Sequence, residues 1–454
     1  MEFKKNDRYV LDITDIGVNG EGIGKIEGYT FFVDRALPGE TVEIIATKLK
    51  KSYGYGRLMN IISPSPDRVT PLCPVADKCG GCSLQHLSYD AQLNFKTEKV
   101  RQNLIRIGGF VSPNVMPTIG MTEPYRYRNK AQYPVSVFDG KIVCGFYASH
   151  SHRVIPCDDC LIGQSENKTI ISHIKAFMDR YKLDAYDETT HTGIVRHIVI
   201  KSAVNTGEVM VCLVINAKDF KLKQELVDAL SSLLYIKSIV INYNRDKTNV
   251  IMGQTSETIY GSSTITDTIG SLKFNISPLS FFQVNPVQTE KLYQTALDFA
   301  DLTDTETVID AYCGIGTISL FLAQKAAKVY GVEIVPEAIE AAKENASLNG
   351  ITNTEFFAGK SEEIVPLLYR EKGISADTVV VDPPRKGCEE SLLELLLNMA
   401  PQKIVYVSCD SATLARDLKI LCRDKYTISK IQPIDMFPHS THVETVCLLT
   451  CKPQ

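Results

Sequence analysis

Toward the C-terminus, short all-apolar runs alternate with stretches whose apolar positions recur every three or four residues. Residues 307–312, 329–333, 378–381 and 403–408 are rich in β-branched side chains and read as strands buried on both faces. Residues 317–324 and 336–348 carry the helical period, and the two later apolar runs are each followed by helical sequence. Strands alternating with helices predict a doubly wound parallel sheet from about residue 271 onward. Residues 1–60 have a different rhythm. Apolar and polar positions alternate over 9–16, 29–33 and 41–46, and Gly17, Gly20, Gly22, Gly24, Gly28, Pro38 and Gly39 interrupt them. Short strands with glycine turns predict a small barrel of the OB kind. Between these parts, Ser63-Pro64-Ser65-Pro66 is a linker signal. A helix is predicted over 88–107, apolar at Leu93, Val100, Leu104 and Ile107 and basic at Lys96, Lys99, Arg101 and Arg106. Strands at 197–202, 208–215 and 238–243 make the middle a mixed α+β region without a catalytic motif. The expected fold class is therefore multidomain α/β, with units over 1–60, 61–270 and 271–454.

Composition narrows the classes. The 454 residues are 44% hydrophobic and 22% charged, with a net charge of −4. No 18-residue apolar run predicts a membrane span, and the N-terminal residues lack the apolar core of a secretory signal. A cytoplasmic protein that does not engage a membrane is expected, with a monomer favoured. Thirteen cysteines without a secretion signal point to metal or catalytic thiols rather than a disulfide framework. The near-neutral charge leaves room for a local basic patch. One such patch runs from Lys48 to Arg57, where cations interleave with Tyr53 and Tyr55. That mixture suits phosphate contacts with base stacking, and it equally suits an edge strand protected by lysines.

Two apolar runs end in reactive groups. Residues 378–381 lead into Asp382-Pro383-Pro384-Arg385, and residues 403–408 lead into Cys409. Neighbouring parallel strands would set a carboxylate and a thiol side by side at the carboxyl edge, where open α/β sheets bind ligands. A free cysteine is commonly an inert buried residue. Cys409 differs from the other thiols in preceding a predicted helix, whose N-terminus lowers a thiol pKa from about 8.5 toward neutrality. Near the C-terminus, Glu444 interrupts an apolar segment. By itself it reads as an exposed strand-end acid.

The turn Asp310-Ala311-Tyr312-Cys313-Gly314-Ile315-Gly316-Thr317 follows one strand, and Glu333 closes the next. The acid suits the two hydroxyls of a ribose. Ser319 stands where the third glycine of a dinucleotide-binding turn belongs, which favours an adenosine cofactor without phosphates, namely S-adenosylmethionine (SAM). Elsewhere, Cys73, Cys79 and Cys82 form Cys-x5-Cys-x2-Cys around Gly80 and Gly81, with Cys157 or Cys160 as a fourth thiol. Such a set suits zinc or an iron–sulfur cluster.

In this order the pieces resemble the RNA uracil-C5 methyltransferases of the TrmA and RumA type, closest to the bacterial 23S rRNA branch, over essentially the whole chain. The resemblance implies a TRAM RNA-binding barrel over 1–60 and a [4Fe–4S] cluster on Cys73, Cys79, Cys82 and Cys160. It also implies a SAM-dependent methyltransferase domain over 271–454. Within Ser277-Pro278-Leu279-Ser280-Phe281-Phe282-Gln283 it makes Gln283 a SAM contact, with Tyr312, Glu333 and Asp382. Cys409 matches the nucleophile and Glu444 the general base. Thr317 departs from the asparagine that several members carry. The implied activity is methylation of uridine C5 in RNA, most of all 23S rRNA, with tRNA as the alternative substrate. A cytosine-C5 enzyme fits less well, since Arg385 rather than cysteine follows Asp382-Pro383-Pro384. A non-catalytic RNA-binding protein of this architecture fits less well too, because the site residues are all present. An NAD oxidoreductase is more distant.

Overall fold

The computed structural model describes residues 3–149 and 151–453. The first strands are β1 (Arg8–Ile16), β2 (Gly22–Ile26), β3 (Tyr29–Val33), β4 (Thr41–Leu49) and β5 (Tyr53–Ser63), closed into a barrel in the order β1-β2-β3-β5-β4. Alternate positions Leu11, Ile13, Phe31, Val33, Val42 and Ile44 fill it. A Cβ on Gly24 would lie 2.4 Å from the Asp12 carbonyl oxygen, so only glycine lets β1 and β2 approach this closely. The basic stretch at 48–57 is not an edge: β5 pairs with both β3 and β4. Closure already removes the aggregation hazard that edge lysines guard against, so its cations and tyrosines lie on a finished barrel wall.

The long helix α1 (Tyr89–Arg106) follows the cysteine-bearing loop. A seven-stranded central sheet then comprises β6 (Lys130–Phe138), β7 (Lys141–Tyr147), β8 (Val154–Pro156), β9 (Val195–Ala203), β10 (Glu208–Ile215), β11 (Ile236–Tyr243) and β12 (Thr255–Gly261). Helices α2 (Asn167–Tyr181) and α3 (Lys223–Leu230) cover one face. The other face, through Val199, Met210, Cys212 and Val240, shares a hydrophobic core with the last part of the chain. Every residue of β9 is buried as a result. The hairpin β13 (Ile265–Ile269) and β14 (Leu272–Ile276) turns at Gly270, and both strands join that shared core.

The C-terminal sheet is built from β15 (Thr307–Asp310), β16 (Lys328–Glu333), β17 (Thr354–Ala358), β18 (Thr378–Val381), β19 (Lys403–Ser408), β20 (Tyr426–Ile434) and β21 (Glu444–Cys451). Its helices are α4 (Pro286–Ala300), α5 (Thr317–Ala323), α6 (Pro336–Leu348), α7 (Ser361–Arg370), α8 (Glu390–Met399) and α9 (Ser411–Leu421). The strand order is β17-β16-β15-β18-β19-β21-β20. The first five are parallel, and the order reverses between β15 and β18, which opens a crevice at their carboxyl ends. The sheet is not parallel throughout, as expected above. β21 runs antiparallel to β19 and β20 antiparallel to β21. That tail returns the segment between Ile434 and Glu444 to the edge where β18 and β19 end, since Ser408 pairs with Thr445.

Candidate active site

β18 and β19 are paired, with Val381 opposite Tyr406, so Asp382 and Cys409 leave adjacent strands at one edge. Glu444 arrives from the antiparallel side as the first residue of β21. It is 4% exposed, not the solvated acid that its sequence context suggested. Burial and the nearby Asp382 carboxylate hold its carboxyl above the ordinary range, and Arg385 opposes this. Asp382 is likewise held up, by burial and by Asp310. Two neighbouring acids, one buried and one half-buried, resist ionising as a pair.

Cys409 corrects a second expectation. Its thiol is pushed up to about 12, first by burial and then by Glu444 and Asp382, with only Arg385 opposing strongly. The helix behind it does not help, because Asp410 caps α9. Its carboxylate accepts from Ala412 N at 2.8 Å and Thr413 N at 3.1 Å. The exposed donors of that helix end are thus satisfied by an anion before they reach the thiol. Arg385, exposed and without an ion-pair partner among the described residues, is the missed member of this group. Its position after Asp382-Pro383-Pro384 was the available signal.

The neighbouring crevice holds the other predicted contacts. Gly314 and Gly316 take φ of 53° and 84°, turning the chain from β15 into α5. Glu333 accepts from Gly314 N at 3.2 Å and from Val335 N at 3.0 Å, which fixes its carboxylate over this turn. Ser319, in place of a third glycine, donates to the buried Asp310 at 2.6 Å. Thr317 bonds the Tyr293 hydroxyl at 2.9 Å. Tyr312 is half-buried beside the turn.

Gln283 is positioned from the central sheet. Asn129 donates to its carbonyl at 2.9 Å, and Lys201 of β9 donates to Ser277 O and Ser280 O at 2.7 and 2.9 Å. Its side chain makes no hydrogen bond to Tyr312, Glu333 or Asp382. Two residues on, Asn285 caps α4 and donates to Met436 O at 3.1 Å, tying this loop to the segment before Glu444. Phe281 in the same loop is 70% exposed, a large apolar side chain presented to solvent two residues before Gln283.

The segment 435–441 is held by α1, in a way its sequence disguises. Tyr89, Gln92, Lys96, Lys99 and Asn103 fall on one face at helical spacing. Tyr89 and Lys96 both donate to Asp435, and Lys96 also to Phe437 O at 3.0 Å. Gln92 accepts from His439 N at 2.9 Å, Lys99 donates to Thr441 O at 2.8 Å, and Asn103 to Ser411 Oγ at 2.8 Å. Lys96, one of the basic positions of the predicted helix, is fully buried. Conversely, Ile107 is 40% exposed.

Cys73, Cys79, Cys82, Cys157 and Cys160 line one cavity of about 280 Å³. Gly80 N donates to Tyr147 O at 2.9 Å, and Arg126 grips the other cysteine loop through Asp159 and Cys160 O. Ser83 N and Leu84 N both donate to His439 O, so the cysteine loop also touches the 435–441 segment. Among the described residues, no group of three or more His, Cys, Asp or Glu side chains converges to hold a metal ion.

Residues 3–59 match the TRAM domain, and residues 88–452 match the family described as tRNA (uracil-5-)-methyltransferase. The chain belongs to the RNA uracil-C5 methyltransferases. An RNA methyltransferase of Halalkalibacterium halodurans is 51% identical over 99% of this chain and 98% of its own length. One from Clostridium tetani is 53% identical over 98% and 97%. Among solved structures, a tRNA (uracil-54, C5)-methyltransferase of Pyrococcus abyssi with S-adenosyl-L-homocysteine superposes with a TM-score of 0.78 at 29% identity, covering 97% of this chain and 99% of that one. This methyltransferase is thus a SAM-dependent enzyme acting on RNA through a TRAM barrel and a class I catalytic domain. No helix among its described residues is long and apolar enough to cross a membrane.

Proposed function

We propose that this methyltransferase modifies C5 of a uridine in 23S rRNA, with Cys409 as nucleophile and Glu444 as general base. The observation that carries the reading is the meeting of one thiol with a buried acid, a half-buried acid and one free arginine at the carboxyl edge. Uracil C5 is too weak a nucleophile to take a methyl group unaided. The Cys409 thiolate adds to C6, and the C5=C6 electrons move onto O4 as an enolate. When bound, SAM would supply the electrophilic methyl group that C5 takes, its sulfonium S–CH3 bond breaking to leave S-adenosyl-L-homocysteine; Gln283, Tyr312, Glu333 and Asp382 are the residues that would hold it. The alkylated C5 still carries its proton. Glu444 takes that proton, the C5=C6 bond reforms, and the sulfur leaves C6. The target base must leave its stack to reach so enclosed a thiol. A tRNA substrate is the second reading, favoured by the Pyrococcus enzyme's own substrate. Incubation with labelled SAM and each RNA, followed by mass-spectrometric mapping of 5-methyluridine, decides between them. Methyl groups on tRNA alone would displace the rRNA reading.

The acid–base state of the site sets the pH dependence. Cys409 must lose a proton to attack, and its thiol sits at about 12. Glu444 must be unprotonated to accept one, and it is held above the usual carboxylate range. Both requirements improve as pH rises. The expected kcat/KM therefore climbs from pH 6 through 9, by up to about ten-fold per unit for each of the two groups still protonated. A neutral optimum with an alkaline fall, in enzyme shown to stay folded, contradicts this assignment.

The reading extends to a [4Fe–4S] cluster on Cys73, Cys79, Cys82 and Cys160. In a cubane each thiolate binds a different iron, so its ligands stand farther apart than those of one zinc ion. What supports the reading is that all four thiols line one cavity, together with Cys157. When bound, the cluster would cross-link the loop of Cys73–Cys82 to that of Cys160. Anaerobically purified protein is expected to be brown with about four irons per chain. Cys160→Ser should lose the colour and Cys157→Ser keep it. A colourless zinc protein rules the cluster out.

A further inference from the structure

A second cavity, of about 350 Å³, lies between the barrel and α1. Ile16, Val18 and Phe95 give it apolar walls, and Val18 is 57% exposed although it points into no core. Asn94 and Gln102, one on each side of Phe95 along α1, also line it. Their side-chain amides have no hydrogen-bond partner among the described residues.

The groove leads to the active site. Lys99 and Asn103 belong to its wall, and the same two side chains bond Thr441 O and Ser411 Oγ. Ser411 lies two residues beyond Cys409, and Thr441 three before Glu444. Lys99 also donates to Val18 O at 3.2 Å, so one ammonium closes the junction of barrel, helix and catalytic segment.

The groove's charge decides what fits. Asp15, Asp67 and Glu98 face it alongside Lys99 and Arg106. Carboxylates there repel phosphate, so a sugar–phosphate chain would pass along the rim by the cations. An uncharged heterocycle can enter, with an apolar face for stacking and free amides that both donate and accept along its edge.

We propose that this groove binds one unstacked nucleobase of the RNA, from a nucleotide flanking the target uridine. The inference rests on the uracil-C5 reading above and adds to it a source of sequence choice. Holding that neighbour would also draw the target out of its own stack, because both bases would leave the helix together. Asn94 and Gln102 are specificity residues in this account and take no part in the chemistry.

The test uses a hairpin RNA pool whose loop carries one 5-fluorouridine flanked by randomised positions. Fluorine at C5 cannot leave as a proton does, so a methylated adduct stays bonded to Cys409. Denatured protein–RNA adducts are isolated and the trapped RNA is sequenced. With the full chain and SAM, one flanking position should be enriched about ten-fold for a particular base. An Asn94→Ala/Gln102→Ala variant should still trap RNA, with that preference flattened. A wild-type pool with no flanking preference, or a preference unchanged in the variant, overturns the inference and leaves the uracil-C5 reading standing. Absence of any adduct with the wild-type chain overturns the covalent reading, and this inference with it.

Discussion

Replacing Cys409 by alanine is expected to lower methyl transfer by about 10⁴-fold or more, because no other group at the edge can add to C6. The loss should appear in kcat, with RNA and cofactor binding retained. Glu444→Gln gives the complementary result. Attack and methylation proceed, the C5 proton stays, and a covalent RNA–protein adduct accumulates that survives denaturation. The amide is close in shape to the acid. It also removes a buried carboxyl held above its normal range beside Asp382, so the variant should fold at least as well as the parent. Lost turnover is then not a folding defect. A freely turning-over Glu444→Gln enzyme, or methyl transfer surviving in Cys409→Ala, would sink the corresponding role. The assay is single-turnover methylation with gel separation of protein–RNA adducts.

The largest effect on stability is expected at Lys96. Its ammonium is 0% exposed and paired with an equally buried Asp435. Lys96→Met would leave that carboxylate with Tyr89 as its remaining side-chain donor, at 2.8 Å. Breaking one side of a buried pair costs about 3–5 kcal/mol, most of it from the charge left behind. Replacing both, as Lys96→Met with Asp435→Leu, should recover much of the loss, since the pair itself was expensive to desolvate. Urea unfolding of the two single variants and the double variant measures this coupling. A cost below about 1 kcal/mol for Lys96→Met would show that the pair is not the anchor inferred here. The double variant should remain impaired in catalysis even if stable, because Phe437 O also loses its ammonium donor and the segment leading to Glu444 is freed.

These two sites show how unevenly function is written along the chain. Cys409 and Asp382 were readable because a parallel strand must end in a loop, and a reactive residue just past an apolar run lands on the ligand-binding edge. The bounds of β18, β19 and α6 follow the apolar runs directly. The small N-terminal barrel was readable from alternation and glycine spacing, and its TRAM identity only from the family resemblance. Lys96 was not, because a lysine at helical spacing looks the same whether it meets water or a buried aspartate more than three hundred residues away. Glu444 was readable as a residue and not as an environment. The antiparallel return of β20 and β21 turns it inward, and local sequence does not record strand direction.

The sequence by itself determined the kinds of chemistry available: a thiol and an acid at strand ends, a glycine turn with a distant carboxylate, and a front cluster of cysteines. It also determined the main strands and helices of the catalytic part, such as β18, β19 and α6, because backbone hydrogen bonding and side-chain burial impose periods of 2.0 and 3.6 that need no partner to be seen. Tertiary structure alone decided the electrostatics. A thiol expected near neutrality stands at about 12 because burial and two carboxylates outweigh a helix end already capped by Asp410. Such energies depend on which charges meet in a low dielectric, and that is a property of long-range contacts.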